Sequence, residues 1–259
     1  MSEGFTIAGL SASYGTRRIV ENIDLGPFEP GQVISLCGPN AAGKTTLLRA
    51  IAGLQPASGS VMLGETELLS LPLADHARHV GYMPQALPQR IGLTVIEGMI
   101  SALLAAPGER ATTSASLAAS AMQTLDRVGI ANLAMRELGH LSGGQRQLAS
   151  LAQALVRQPR VLLLDEPISA LDLHYQLRVM KLVRQVAADN GMIVIMVLHD
   201  LVMAARWSDR VVLLAEGRIA ADGAPSDAIT AERLGEVYRV AATVENSPRG
   251  LSIVIDDIL

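Results

Sequence analysis

Residues 38–45, GPNAAGKT, fit the pattern G-x-x-x-x-G-K-[ST] and lie between an apolar run at 33–37 and a helical pattern at 44–52. A glycine-rich loop in this setting turns backbone N–H groups inward around phosphate oxygens, and the helix N-terminus adds partial positive charge. Lys44 is expected to reach the terminal phosphates and the Thr45 hydroxyl to ligate Mg²⁺. The alternative is a glycine turn that only caps a structural helix. The predicted phosphate-binding residues are Gly38, Pro39, Asn40, Ala41, Ala42, Gly43, Lys44, Thr45 and Thr46.

Two carboxylates, Asp165 and Glu166, follow a second apolar run at 161–164. In open α/β sheets, ligands bind beyond the carboxyl ends of the strands, which is where these side chains would lie. Asp165 is predicted to hold the magnesium ion, and Glu166 to polarise the water that attacks the γ-phosphate. Taken alone, Asp-Glu after a strand is equally consistent with a solvated turn. The phosphate-binding loop (P-loop) at 38–45 favours the catalytic interpretation.

A third segment, LSGGQRQ at 141–147, opens another helical pattern with a serine and two glycines. The Ser142 hydroxyl and the backbone amides of Gly143 and Gly144 form a second helix N-terminus suited to an anion. One nucleotide does not need two such sites, so the second is predicted to serve a nucleotide held by another copy of the chain. The alternative is a simple N-cap followed by an Ala- and Gln-rich helix.

Short apolar runs alternate with helical patterns along most of the chain, such as the pattern at 172–188. This alternation predicts a mostly parallel sheet with helices on both faces. Antiparallel β-structure is expected at the two ends, in a strand over Phe5–Tyr14 and in a hairpin over 240–255 that turns at 246–250. The predicted buried strands are 33–37, 80–83, 161–164, 192–198 and 211–214.

Residues 86–157 do not show this alternation of strand and helix patterns, because they are rich in Ala, Leu, Met and Ser and carry no run typical of a strand. We predict that they form a helical insert in one domain whose core consists of residues 1–85 and 158–259. The polar segment at 107–116, PGERATTSAS, is expected to be a mobile surface loop near the middle of the insert.

The composition excludes several classes of protein. The 259 residues are 49% hydrophobic and 18% charged, which is enough apolar side chain for a large core. The longest apolar run, 192–198, falls far short of the roughly 18 residues of a membrane-spanning helix, and no signal peptide is expected. A formal charge of −4 argues against a general nucleic-acid binder. The single cysteine, Cys37, fits a reducing cytoplasm and is expected to be a buried packing residue.

Together these motifs resemble those of the ATP-binding subunit of an ABC transporter, in the family's order and over nearly the whole chain. The resemblance implies an α/β fold: a P-loop NTPase core with an antiparallel β edge and a helical subdomain insert. It also implies that the cofactors are ATP and Mg²⁺ and that the protein is a head-to-tail homodimer. Each ATP would lie between the P-loop of one copy and the LSGGQ signature of the other. The matching elements are Tyr14, the P-loop, Gln85, the signature at 141–145, Asp165–Glu166, Ser169–Asp172 and His199.

The same resemblance implies roles for residues that carry little information alone. Tyr14 would stack on the adenine, and Gln85 would join the metal site to the transmembrane partner. His199 would contact the γ-phosphate as a catalytic residue beside Lys44 and Glu166. Asp172 would communicate between the two sites of the dimer. The signature residues that act on the other copy's nucleotide would be Ser142, Gly143, Gly144 and Gln145.

Within the family, three short segments are similar to the ATPases of iron–siderophore, haem and vitamin B12 importers: SALDLHYQL at 169–177, HDL at 199–201 and VYRV at 237–240. This likeness implies a two-copy membrane permease, a solute-binding protein, and a peripheral place at the cytoplasmic face of the inner membrane. Another importer class, an exporter ATPase, and a soluble ABC ATPase acting on DNA or ribosomes are the alternatives. The last is disfavoured because the chain has one cassette and no coiled-coil arm or basic tail.

Three positions depart from the family pattern. Ala41 stands where a third P-loop glycine is usual, Ile168 replaces a common threonine, and Gln153 stands where many relatives carry arginine. None of the three removes a predicted catalytic group, so we expect the protein to be active.

Overall fold

A six-stranded sheet forms the centre of the structure, a computed structural model that describes residues 4–85, 92–105, 113–247 and 250–259. Its strands are β3 (Val33–Cys37), β6 (Val80–Met83), β7 (Val161–Leu164), β8 (Ile193–Val197), β9 (Arg210–Ala215) and β10 (Arg218–Gly223). Across the sheet they run in the order β10-β9-β3-β8-β7-β6, and every neighbouring pair is parallel except β9 and β10. The mostly parallel sheet and its five predicted strands are confirmed.

Two further sheets are antiparallel, and their strands are β1 (Phe5–Tyr14), β2 (Arg17–Phe28), β4 (Ala57–Leu63), β5 (Thr66–Glu67), β11 (Val240–Ser247) and β12 (Gly250–Ile258). The first has the order β2-β1-β4-β5, and in it Phe5 lies opposite both Phe28 and Leu63. The second is the hairpin of β11 and β12, in which Ser247 pairs with Gly250. The antiparallel ends are therefore confirmed, although residues 248–249 of the predicted turn lie outside the described residues.

The helices begin and end where the sequence supplies caps. Asp172 accepts a hydrogen bond from the Tyr175 amide at the start of helix α6 (Leu173–Asn190), and Gly191 ends this helix in the left-handed region. The helices of the described residues are α1 (Lys44–Ile51), α2 (Leu73–His79), α3 (Val95–Leu104), α4 (Ser114–Val128), α5 (Gly143–Leu155), α6 (Leu173–Asn190), α7 (Leu201–Trp207), α8 (Pro225–Ala228) and α9 (Ala231–Tyr238), together with 3₁₀ turns at Leu68–Ser70, Ala131–Leu133 and Leu138–His140.

The central sheet separates two hydrophobic cores, because its strands alternate their side chains between two faces. Ile34 and Leu36 of β3 contribute to the core shared with α1 and the four-stranded sheet. Val33 and Cys37 contribute to the other core, where α3 to α7 pack. Cys37 is fully buried, as predicted. With both faces covered, the edge formed by the carboxyl ends of the parallel strands is left to carry ligands.

The end of the polar segment, residues 113–116, differs from its prediction. Residues 107–112 lie outside the described residues, but Ser114 already begins α4. Thr113 caps this helix by accepting a hydrogen bond from the Ser116 amide, with 3.3 Å between the two atoms. A loop prediction based on polar composition missed the cap, although Ser and Thr are favoured at this position for that reason.

Candidate functional site

The P-loop joins the end of β3 to the start of α1, and its glycines fit where other residues would not. A Cβ atom at Gly38 would overlap the carbonyl oxygen of Leu214. At Gly43, where φ is +105°, a Cβ atom would lie 2.8 Å from Val20 Cγ1. The Leu214 backbone and the Val20 side chain therefore favour glycine at these two positions, and the loop lies close against β9 and β2.

Ala41 adopts a left-handed conformation, with φ of +64°. Side-chain-bearing residues rarely adopt this region, which glycine enters freely. Glycine would therefore adopt the conformation of position 41 more readily than alanine does. With alanine at this position the loop retains its backbone path, but the backbone is locally strained.

Lys44 folds back over the loop that precedes it. Its side chain is 6% exposed, and Nζ donates hydrogen bonds to the carbonyl oxygens of Gly38 at 2.7 Å and Pro39 at 2.8 Å. Burial lowers the pKa of this ammonium group, and the nearby Glu166 and Asp165 carboxylates oppose that shift without cancelling it. The ammonium thus stands at the inner side of the loop, where phosphate oxygens could replace the two carbonyl acceptors.

Asp165 and Thr45 meet at the carboxyl end of β7. The Thr45 hydroxyl donates to Asp165 Oδ1 at 3.1 Å, and the Tyr82 hydroxyl donates to Oδ2 at 3.3 Å. Burial raises the pKa of Asp165, and the hydrogen bonds from Thr45 and Tyr82 act in the opposite direction. A hydroxyl and a carboxylate oxygen are the ligands that Mg²⁺ prefers, so this pair fits a magnesium ion.

Glu166 lies beside His199, with 2.8 Å between Glu166 Oε1 and His199 Nε2. The glutamate side chain is 17% exposed, and its backbone has an unusual left-handed φ of +53°. The structure therefore brings together two of the predicted catalytic residues. It places them at the same sheet edge as Asp165, since β7 and β8 are parallel neighbours.

The signature segment forms a capped helix start. Ser142 Oγ accepts a hydrogen bond from the Gln145 amide, while the Gln145 side chain accepts one from the Ser142 amide. The amides of Gly143 and Gly144 are left for an external acceptor, because the first N–H groups of a helix have no partner within it. The four signature residues line a cavity of about 480 Å³, whose other lining residues are Gly129, Ile130, Asn132, Leu133, Leu148, Ala170, Leu171, Asp172 and Tyr175. None of the described P-loop residues lines this cavity.

Three other predicted site residues lie at the surface. Tyr14 is 74% exposed at the end of β1, and Gln85 is exposed two residues beyond the end of β6. Asp172 is exposed and caps α6. Among the described residues, no contact that the structure shows joins Gln85 to the Thr45–Asp165 pair. The three side chains are therefore free to meet a ligand or another chain.

Two residues of the site were not singled out by sequence reasoning. Tyr82 holds Asp165, and Gln147 holds the segment after Glu166. The signal for Gln147 is a polar residue on the buried face of an amphipathic helix, since it is 6% exposed among apolar neighbours. The sequence signal for Tyr82 was weaker, since it consisted only of a hydroxyl-bearing residue within a buried strand.

A groove of about 640 Å³ opens between α2, α3 and the end of α5, next to Pro84; we call it the α2–α5 groove. Most of its lining is apolar, including Leu73 and Ala102. Two of its polar atoms, Ser150 Oγ and Arg157 Nη2, are buried without a hydrogen-bond partner in the described part of the chain. Burial lowers the pKa of Arg157, and so does the nearby charge of Arg78. The groove thus combines an apolar surface with a positively charged guanidinium group.

Within the described ranges, no helix combines the length and apolar character needed to cross a membrane. The same residues contain no group of three or more His, Cys, Asp or Glu side chains arranged to hold a metal ion. The magnesium prediction therefore depends on the Thr45–Asp165 pair and on oxygen atoms that a bound nucleotide would supply.

Sequence comparison gives a consistent result. Residues 20–169, more than half of the chain, match the model of the family described as "ABC transporter". The chain is 36% identical over 250 residues to the hemin import ATP-binding protein HmuV of Bordetella avium, covering 93% of this chain and 94% of that protein. It is 37% identical over 253 residues to HmuV of Rhodopseudomonas palustris, with 94% of both covered. An uncharacterized ABC transporter ATP-binding protein of Methanocaldococcus jannaschii is 34% identical, with 96% of both covered.

Solved structures share the fold. A metal-chelate type ABC transporter in an inward-facing conformation matches with a TM-score of 0.81 and 23% identity, covering 99% of this chain and 98% of that one. A dimeric ATP-binding cassette bound to ADP and phosphate matches with a TM-score of 0.77 and 23% identity, covering 85% of this chain and 98% of that one. With these matches, the P-loop, the signature and the Asp165–Glu166 pair identify the chain as an ATP-binding and ATP-hydrolysing member of the ABC transporter family.

Proposed function

We propose that this protein is the ATPase subunit of an importer and that it acts as a head-to-tail homodimer with two composite nucleotide sites. The observation that carries the proposal is the separation of the signature from the P-loop. Ser142 to Gln145 line their own cavity with residues of α4 to α6, not with the P-loop. A second copy is needed to bring a signature against each P-loop.

In each site the P-loop amides and Lys44 would bind the phosphates. The Lys44 ammonium is already close to the loop, so exchanging its two carbonyl acceptors for phosphate oxygens requires little movement. Thr45, Asp165 and Gln85 would hold Mg²⁺, which would neutralise charge that develops on the phosphates. Tyr14 is exposed enough to stack on the adenine ring.

Hydrolysis would use Glu166 as the general base toward the attacking water. The 2.8 Å contact with His199 orients the glutamate side chain, and His199 would also reach the γ-phosphate. Asp172, exposed at the start of α6, would carry contacts between the two copies. The chain would form one domain with a helical insert at 86–157. The signature lies in this insert and would complete the nucleotide site of the partner copy.

The α2–α5 groove is the surface that we assign to the permease. It begins beside Pro84, next to Gln85, the residue proposed to join the metal site to the transmembrane partner. An acidic side chain of the permease would pair with the Arg157 guanidinium group, which lines the groove. An apolar helical segment bearing one carboxylate therefore fits the groove.

Replacing Arg157 with alanine tests this assignment. Removing one partner of a buried charged pair costs about 2–5 kcal/mol, so permease affinity should fall by roughly 30-fold or more. ATP hydrolysis by the isolated subunit should be unchanged, because Arg157 is remote from the P-loop. Arg206→Ala, at an exposed position of α7, is the matched control. Unchanged permease affinity in pull-down or titration experiments with Arg157→Ala would assign the contact to another surface.

The proposed solute is an iron–siderophore, haem or cobalamin, and the names of relatives such as HmuV favour haem. A solute-binding protein would deliver it to the permease from outside, with this subunit at the cytoplasmic face of the inner membrane. The test is uptake of labelled haem, a ferric siderophore and cobalamin by cells or proteoliposomes that carry the permease encoded beside this chain. We expect ATP-dependent uptake of haem, abolished by Lys44→Ala. Outward transport, or no uptake of any of the three, would contradict the proposal.

A further inference from the structure

Gln147 makes three hydrogen bonds that join the signature helix to the segment after β7 in the same chain, one of them a donation from Nε2 to the Ser169 hydroxyl at 3.5 Å. Its Nε2 donates to the carbonyl oxygen of Glu166, and its Oε1 accepts from the Ala170 amide at 3.0 Å. The side chain is 6% exposed, so water cannot readily substitute for any of these bonds. One amide group therefore fixes both ends of the segment 166–170.

The bond to Glu166 falls at a strained position. Glu166 has a φ of +53°, and a non-glycine residue persists in the left-handed region only where its surroundings hold it there. The Glu166 carbonyl also accepts from the Ser169 hydroxyl at 3.2 Å. Because the backbone conformation sets the direction of the side chain, holding this carbonyl also holds the carboxylate against His199.

Gln147 lies five residues after Ser142 on one continuous helix. A shift of the signature helix would therefore be transmitted through Gln147 to the Glu166 backbone. In the proposed dimer, the signature acts on the partner's nucleotide, whereas Glu166 acts on the nucleotide of its own P-loop.

We propose that Gln147 is a positioning residue. It sets the orientation of the Glu166 side chain according to the position of the signature helix in the same chain. The inference rests on the proposed dimer with composite sites. Through this amide, engagement of the signature with one nucleotide prepares the general base for the other nucleotide.

Gln176 provides a matched comparison. It holds the same segment from α6, where its Nε2 donates to the carbonyl oxygens of Ile168 at 3.2 Å and Leu171 at 3.1 Å. Within the described residues, neither of these hydrogen bonds reaches Glu166 or the signature helix. If only the rigidity of the segment mattered, Gln147→Leu and Gln176→Leu would have the same effect on hydrolysis.

The test compares Gln147→Leu, Gln147→Glu, Gln176→Leu and Glu166→Gln in the full chain, by ATP turnover, the KM for ATP, and size-exclusion chromatography with MgATP. Misplacing a reacting group by about 1 Å can cost about 10²-fold, so Gln147→Leu should lower kcat by about 10-fold or more and change the KM less than about twofold. Its ATP-bound dimer should accumulate, as with Glu166→Gln. Gln176→Leu should have the smaller effect on kcat.

Gln147→Glu keeps the acceptor for the Ala170 amide but loses the donor to Glu166 when ionised. It should therefore also lower kcat, and it decides the question if Gln147→Leu does not fold. Wild-type kcat in either variant, or equal losses in Gln147→Leu and Gln176→Leu, would overturn the inference. A Gln147 variant that binds ATP but forms no dimer would also overturn the inference. Gln147 would then be needed for the signature to engage the partner's nucleotide, not for the orientation of Glu166. If Glu166→Gln itself forms no dimer, the proposed function fails instead.

Discussion

The Glu166→Gln variant is expected to bind MgATP, to lose hydrolysis by about 10²-fold or more, and to accumulate as an ATP-bound dimer. The amide has the shape of the carboxylate and keeps an oxygen that can accept from His199 Nε2, which lies 2.8 Å away in the wild type. It lacks the basicity needed to polarise the attacking water. Lys44, Thr45 and Asp165 are unchanged, so the nucleotide should still bind. Phosphate release and size-exclusion chromatography with and without MgATP measure the two effects.

Glu216→Gln is the matched control for this variant. Glu216 is an exposed glutamate that also has a left-handed backbone, with φ of +50°. Its replacement should leave turnover and oligomeric state unchanged. If Glu166→Gln hydrolyses ATP at nearly the wild-type rate, the base lies elsewhere and His199 becomes the next candidate. If the variant neither hydrolyses nor dimerises, Glu166 is needed to build the site.

Lys44→Ala should lower ATP turnover by about 10²–10³-fold or more, because it removes the positive charge that would stabilise the phosphates in the transition state. Lys44 is buried, and its Nζ holds the carbonyl oxygens of Gly38 and Pro39, so the loop should also lose order. ATP affinity is therefore expected to fall together with kcat. Phosphate release and nucleotide titration measure these two losses separately.

The chain offers a precise control, since Lys181 is its only other lysine and lies exposed on α6. Lys181→Ala should hydrolyse ATP at the wild-type rate. Thermal unfolding of both variants shows whether a loss of activity reflects the site or the fold. Turnover of Lys44→Ala within about tenfold of wild type would contradict the P-loop assignment, because loss of one such charge typically costs more.

Much of the site could be predicted because its chemistry is encoded in contiguous segments. The P-loop, the signature and the Asp165–Glu166 pair each occupy a few consecutive residues, and their positions at strand ends and helix starts follow from local apolar patterns. The predicted central strands agree with the structure within one residue at their ends. For such motifs, the local sequence pattern is enough to predict where the residues lie in the fold.

The remaining features depend on contacts between segments far apart in the chain. Tyr82 and Gln147 reach residues 83 and 19 positions away, and no local pattern indicates which partner each one finds. The left-handed backbone of Ala41 and Glu166 is likewise imposed by surrounding structure. Ala41 was recognised only as a departure from a glycine. These residues position the chemical groups, and their roles required the folded arrangement.

The most direct test of the composite site mixes two inactive variants, Lys44→Ala and Ser142→Arg. Ser142→Arg places a bulky charged side chain at the exposed start of α5 and should leave ATP binding to the monomer largely intact. Each variant alone should fail to hydrolyse ATP, since both sites of its homodimer are defective. The mixed dimer retains one intact P-loop facing one intact signature, so phosphate release from the mixture should exceed the sum of the two separate samples. No recovery on mixing, or loss of monomer ATP binding in Ser142→Arg, would contradict a site shared between two copies.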